Sequence, residues 1–144
     1  MQDDDNLIQS FKSINILFIA LGAGMLLTSI VMVYMVQVGA VVNPDLSDVL
    51  EIVVPVLGAS GFVAGKFMYG MNAKKSKEET DPYVKINNYR IACLIVWVLM
   101  EGPGLFASIS YFLTGDRIFL LFFSMIFMGY YFNKPSIAKF QQDF

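Results

Sequence analysis

Glu101 is the only charged residue in the apolar stretch Ile91–Leu113, and an acid in such a place has few chemical uses. Ten residues into a helix is about 15 Å of rise, which puts the carboxyl near the middle of about 30 Å of hydrocarbon. An ionisable group at that depth opposes insertion by about 3 kcal/mol, whereas the eleven Leu, Ile, Val and Phe residues of the stretch favour it by about 3–6 kcal/mol. The helix inserts, with an acid retained against a cost. In hydrocarbon the neutral acid is favoured unless a cation pairs with it.

The neighbours of Glu101 extend the site. The run is Met100-Glu101-Gly102-Pro103-Gly104. Pro103 has no N–H, so the carbonyl of Leu99 loses its helical donor, and the flanking Gly102 and Gly104 allow bending and close approach. A carboxyl beside a freed carbonyl forms an oxygen site for a proton or small cation. Trp97, Glu101, Gly104, Ser108 and Tyr111 share one helical face, which is expected to point inward. Lys66 is the nearest candidate cation on the preceding span, about 7 Å off the level of Glu101 in an antiparallel hairpin; Ser60 and Gly61 lie closer to that level. Four roles stay open for Glu101: a neutral acid hydrogen-bonded to another helix, a proton or cation carrier, a ligand-binding group, or a subunit contact.

The elements that must position this site are membrane spans. Of 144 residues, 56% are hydrophobic and only 15% charged, where soluble domains carry about a quarter charged. A span needs about 20 apolar residues, and four segments meet or approach that: 14–38, 49–71, 91–113 and the shorter, Phe- and Met-rich 117–133. The expected fold is all-α, a single polytopic membrane domain over residues 1–144 with four transmembrane helices in a compact bundle. Leu7, Phe11 and Ile14 mark an amphipathic lead-in to the first span. Met1–Asn6 is acidic, unlike the basic start of a signal peptide, so the first span is read as retained. The fourth segment suits a lipid-facing position. Ile137, Phe140 and Phe144 are spaced for a surface-lying turn or two in the tail.

Small residues predict the helix contacts. Ala20, Gly24 and Thr28 form one small stripe; Gly58, Gly61 and Gly65 form another, with Gly61 and Gly65 a GxxxG pair. Asp48-Val-Leu-Glu51 resembles a capping box, Asp81-Pro82 an N-cap followed by proline at the first helical position, and Thr114-Gly-Asp116 a tight turn. Residues 72–90, including the charged run 73–81, form the middle loop, with a helix starting near Pro82.

Basic residues orient the chain. Lys12, five Lys or Arg between Lys74 and Arg90, Lys134 and Lys139 fall on one side, and Arg117 alone on the other. The positive-inside rule then places both termini and the middle loop in the cytoplasm.

Other chemistry is thin. The chain has no histidine and one cysteine, so there is no imidazole metal ligand, histidine relay or internal disulfide; Cys93 is expected to pack. No nucleophile–base pair can be assembled, and neither enzyme activity nor a cofactor nor a metal is expected. Asp45, Asp48, Glu51 and Asp116 collect on the side opposite the termini as loop acids and caps. The net charge of −2 points away from nucleic acid; the expected partners are the lipid bilayer, other membrane subunits or copies of this chain.

The hairpin of the second and third spans resembles that of rotary ATP synthase c-subunits. The likeness lies in Gly65-Lys66-Phe67-Met68-Tyr69-Gly70 before a polar cytoplasmic loop, and in Glu101 followed by Pro103. It implies that Glu101 corresponds to an ion-carrying carboxylate. The loop here, KKSKEETDP, is longer, and a span is added on each side. The chain as a whole is also similar to small four-span bacterial inner-membrane proteins, which implies that location and no particular activity. Two functions follow as expectations: a proton- or cation-handling subunit centred on Glu101, or a structural or assembly subunit acting through its small-residue faces.

Overall fold

A computed structural model describes the backbone of residues 2–41 and 43–144 and the side chains of residues 8–41 and 43–144. Met1–Asn6 and Leu7, which carry the acidic start and part of the lead-in, lie outside the described side chains. The described chain is all-helical: α1 is Gln2–Gln37, α2 Ser47–Lys77, α3 Pro82–Thr114, α4 Ile118–Phe132 and α5 Ile137–Asp143, with a 3-10 turn at Pro44–Leu46 before α2. Three helices are long and apolar enough to cross a membrane, and a fourth crossing exists if α4 and α5, bent by 70° at their junction, count as one broken span. This is consistent with a multi-pass membrane protein.

The helix α3 is the axis of the molecule. Its buried residues run from Ile86 to Thr114 and include Trp97, which is fully buried. The helix α1 packs parallel to it, through Phe11 on Tyr89 and Phe18 on Trp97. The helices α2 and α4 pack antiparallel to it: Gly65 of α2 faces Val96, and Gly129 of α4 faces Met100. In lipid no hydrophobic force drives helices together, so contact area and interhelical hydrogen bonds must hold this arrangement. Accordingly the Tyr130 hydroxyl of α4 donates to the Phe18 carbonyl of α1, and Trp97 Nε1 donates to the Asn133 carbonyl at 3.0 Å.

The termini of the elements follow their local chemistry. Asp81 caps α3, its carboxylate accepting from the Tyr83 N–H at 2.8 Å, with Pro82 in the first turn. Gly115 ends α3 with φ +73°, a conformation that suits glycine. Asp116 then accepts from the Ile118 N–H at 3.0 Å. At this end the two connections are tied together by Asn43 N–H on the Leu113 carbonyl (2.8 Å) and by Ser47 Oγ on Asp116 Oδ2 (3.1 Å).

Three local expectations are corrected. The capping box at Asp48–Glu51 does not form: the 3-10 turn feeds straight into α2, Leu46 takes the N-cap position and no side chain caps the helix. The charged run 73–81 is not all loop, because α2 continues to Lys77 with Lys74, Lys75 and Lys77 in its last turn, where cations complement the helix dipole. Within 72–90 only residues 78–81 connect the two helices. The fourth segment is not simply lipid-facing, since Phe119, Phe123 and Tyr130 are buried. The tail forms the expected short helix, α5, with no buried residue and Ile137 exposed; its Phe140 ring sits 5.4 Å from both Phe11 and Tyr89.

Candidate functional site

The structure separates the groups that spacing had placed around Glu101. Pro103 does free the Leu99 carbonyl, but the occupant of that space is Gly61: a Cβ built on Gly61 would collide with the Leu99 oxygen and touch the Pro103 ring at 3.4 Å. Only glycine fits there, and its Cα–H is positioned for the weak hydrogen bonding that recurs where helices cross closely. The freed carbonyl therefore serves the α2–α3 crossing. Around the α3 axis, Leu99 and Glu101 are two residues and about 160° apart, on opposite flanks of the buried face. They do not converge on one ligand.

The remaining candidates also turn elsewhere. Lys66 Nζ donates to Asn133 Oδ1 at 2.7 Å and does not pair with Glu101; Asn133, at the end of α4, lies nearer to the level of Lys66 than mid-α3 does. Ser60 is exposed and its hydroxyl donates to the Leu57 carbonyl of its own helix at 3.0 Å. Ser108 is fully buried, and its Oγ donates back to the Gly104 carbonyl at 3.3 Å. Trp97, Gly104, Ser108 and Tyr111 do form the expected buried face, but Glu101 sits at its margin, half-buried.

Among the described residues no hydrogen bond or ion pair reaches Glu101. The Tyr130 hydroxyl lies within electrostatic reach, and its proton is committed to Phe18. Next to Glu101, Gly102 is exposed with nothing within 4 Å of a built Cβ. No group of three or more described Cys, Asp or Glu residues is arranged to hold a metal.

The small-residue faces divide into two sets. Gly58, Gly61, Gly65 and Gly104 are spent inside the chain, against Ile126, Leu99 with Pro103, Val96, and Met25 respectively. The stripe Ala20, Gly24, Thr28 is not used in this way. Ala20 is exposed, Gly24 has nothing within 4 Å of a built Cβ, and Thr28 Oγ donates to the Gly24 carbonyl at 2.9 Å. The packing face of α1 is instead Phe11, Ile14, Phe18 and Met25. Two close contacts were not anticipated: Gly22 against Tyr130, and Gly129 against Met100. Each faces a bulky side chain on another helix, which spacing within one segment does not reveal.

A second polar cluster, also unanticipated, sits at the end of the molecule that carries the termini. Lys66, Lys134 and Lys139 line a cavity of about 210 Å³ with Asn133, Tyr69 and Asp143. Its parts come from α2, α3, α5 and the α4–α5 connection, so only the fold assembles it. Cys93, free and buried as expected, lies in its wall.

No family model, curated protein or solved structure matches the chain. Functional inference therefore rests on the residues and their geometry.

Proposed function

We propose that the chain is a four-span membrane subunit, with its termini cytoplasmic, that presents Glu101 at a contact with another subunit and there binds a proton or a cation. The observation that carries this reading is the carboxyl's position: mid-way along a span-length helix, half-buried, and without a hydrogen-bond or ion-pair partner among the described residues. A group that opposes insertion by about 3 kcal/mol calls for a neutralising partner, and a proton, a cation or a polar group of a neighbour supplies one. The open backbone at Gly102 gives a neighbouring helix room to come close.

A second reading makes Glu101 a neutral hydrogen-bond donor that only joins subunits, with no ion moved. The unused Ala20–Gly24–Thr28 stripe on α1 favours it, since an uncovered small-residue face suits helix association.

Glu101→Gln separates the two, because glutamine keeps hydrogen bonding and loses protonation. In proteoliposomes monitored with a pH-sensitive or cation-sensitive dye, the first reading predicts that Glu101→Gln accumulates and assembles normally while flux is lost. Full flux in the Gln variant overturns proton or cation handling. Normal assembly of Glu101→Leu would count against the joining role as well.

A further inference from the structure

The lysine-lined cavity has a chemistry of its own, independent of how Glu101 is used. Lys66 spends one donor on Asn133 Oδ1 (2.7 Å) and Lys139 one on the Phe132 carbonyl (3.2 Å). An ammonium has three donors, so both keep spare N–H groups, and the Lys134 ammonium makes no hydrogen bond among the described residues. Lys66 and Lys139 are close enough to repel each other electrostatically. The one acid in the wall, Asp143, accepts from the Tyr69 hydroxyl at 2.9 Å. Three cations thus face one carboxylate, and no ion pair among the described residues neutralises them.

The depth of the cluster sharpens the point. The fifteen residues of α4 rise about 22 Å, less than the roughly 30 Å of a hydrocarbon core. The chain then breaks at Lys134-Pro135-Ser136 and turns by 70°. With α4 starting at the opposite edge, the break falls about 8 Å inside the hydrocarbon, a depth from which lysine side chains reach toward headgroup phosphates; the Trp97 Nε1–H donates to the Asn133 carbonyl in the cavity wall.

An apolar groove of about 440 Å³ lies beside the cavity, between α2 and α4, lined by Pro55, Ala59, Phe62, Met100 and Gly129 among others. The cavity and the groove share no lining residue, but their walls touch. Phe62 lies one turn from Lys66, whose ammonium sits 5.8 Å from the Phe62 ring centre, and Asn133 Nδ2 lies 3.8 Å from Met100 Sδ in the groove wall. No ionisable residue lines the groove.

We infer that this composite site binds one anionic phospholipid, its phosphate held by Lys66, Lys134 and Lys139 and one acyl chain laid in the α2–α4 groove. A basic pocket between helices on the positive side is the geometry that recognises a phosphate headgroup, and the apolar groove beside it distinguishes a lipid from a soluble phosphate ester.

Native mass spectrometry of the full chain in neutral detergent tests this with phosphatidylglycerol, phosphatidylcholine and inorganic phosphate as probes. The wild type is expected to retain one phosphatidylglycerol, at least tenfold more tightly than phosphatidylcholine, with millimolar phosphate failing to displace it. Lys66→Gln/Lys139→Gln is expected to lose at least tenfold, and Ala59→Phe, which fills the groove, to weaken binding without altering the fold seen by circular dichroism. If the double variant misfolds, Lys134→Gln, which breaks no internal hydrogen bond, reports the same headgroup preference. Equal retention of both lipids, or no change in a folded lysine variant, overturns the site. Displacement by inorganic phosphate with Ala59→Phe unaffected assigns the cavity to a soluble phosphate ester and overturns the lipid.

Discussion

A substitution series on the glycines distinguishes, residue by residue, contacts made within this chain from surfaces left open. At Gly61 an added Cβ meets backbone, the Leu99 oxygen, whereas at Gly104 it meets the end of the flexible Met25 side chain. Gly61→Ala is therefore expected to destabilise by about 1–3 kcal/mol through overpacking, and Gly104→Ala by distinctly less, read as the midpoint of thermal unfolding in detergent. Gly24 meets nothing, so Gly24→Ala should gain helix propensity of up to about 1 kcal/mol in the isolated chain. Should Gly61→Ala prove as mild as Gly104→Ala, the close α2–α3 crossing described here is wrong. The same scale shows what the sequence could say of the site. Glu101, Pro103 and the freed Leu99 carbonyl were legible, because each follows from residue type alone. The use of that carbonyl by Gly61 was not, because a helical wheel gives direction and not the partner that fills it.

Among the elements, two agreeing local signals fix a helix end and a single one does not. Asp81-Pro82 carries two agreeing signals, and the helix begins there with the expected cap. Asp48-Val-Leu-Glu51 carried one, and the preceding Pro44–Leu46 turn displaced it by starting α2 at Ser47. Replacing Asp81 by Ala removes the acceptor of the Tyr83 N–H and is expected to cost about 1 kcal/mol. Hydrogen exchange should quicken in the first turn of α3 and stay unchanged around Trp97; protection that is unaltered in that turn would contradict the cap. Charged character misled at the end of α2, since lysines near a helix C-terminus prolong the helix. The lysine cavity joins side chains from three helices and the α4–α5 connection, and no segment read alone contains them.

At the scale of the whole molecule, the all-helical architecture was legible from composition and run length. The central place of α3 was not: it depends on which faces of α1, α2 and α4 find it, as with Phe18 on Trp97 and Gly65 on Val96. Three helices reach span length outright and α4 reaches it only with α5, so the proposed four-span topology with cytoplasmic termini makes its own prediction. Single cysteines near residues 79 and 139, in a Cys93→Ser chain, should be labelled by a membrane-impermeant thiol reagent only from the cytoplasmic face. Labelling of the two from opposite faces would make α4 and α5 something other than a full crossing.

The account turns on Glu101 being covered by a neighbouring subunit, and cross-linking measures that directly. A cysteine placed at the open Gly102 position of the Cys93→Ser chain, treated with a short thiol-directed cross-linker in native membranes, should give a defined adduct with a second chain. Glu101→Leu should weaken that adduct while the protein still accumulates. A chain that remains monomeric at every cross-linker length, with Glu101→Leu indistinguishable from the parent, would contradict it.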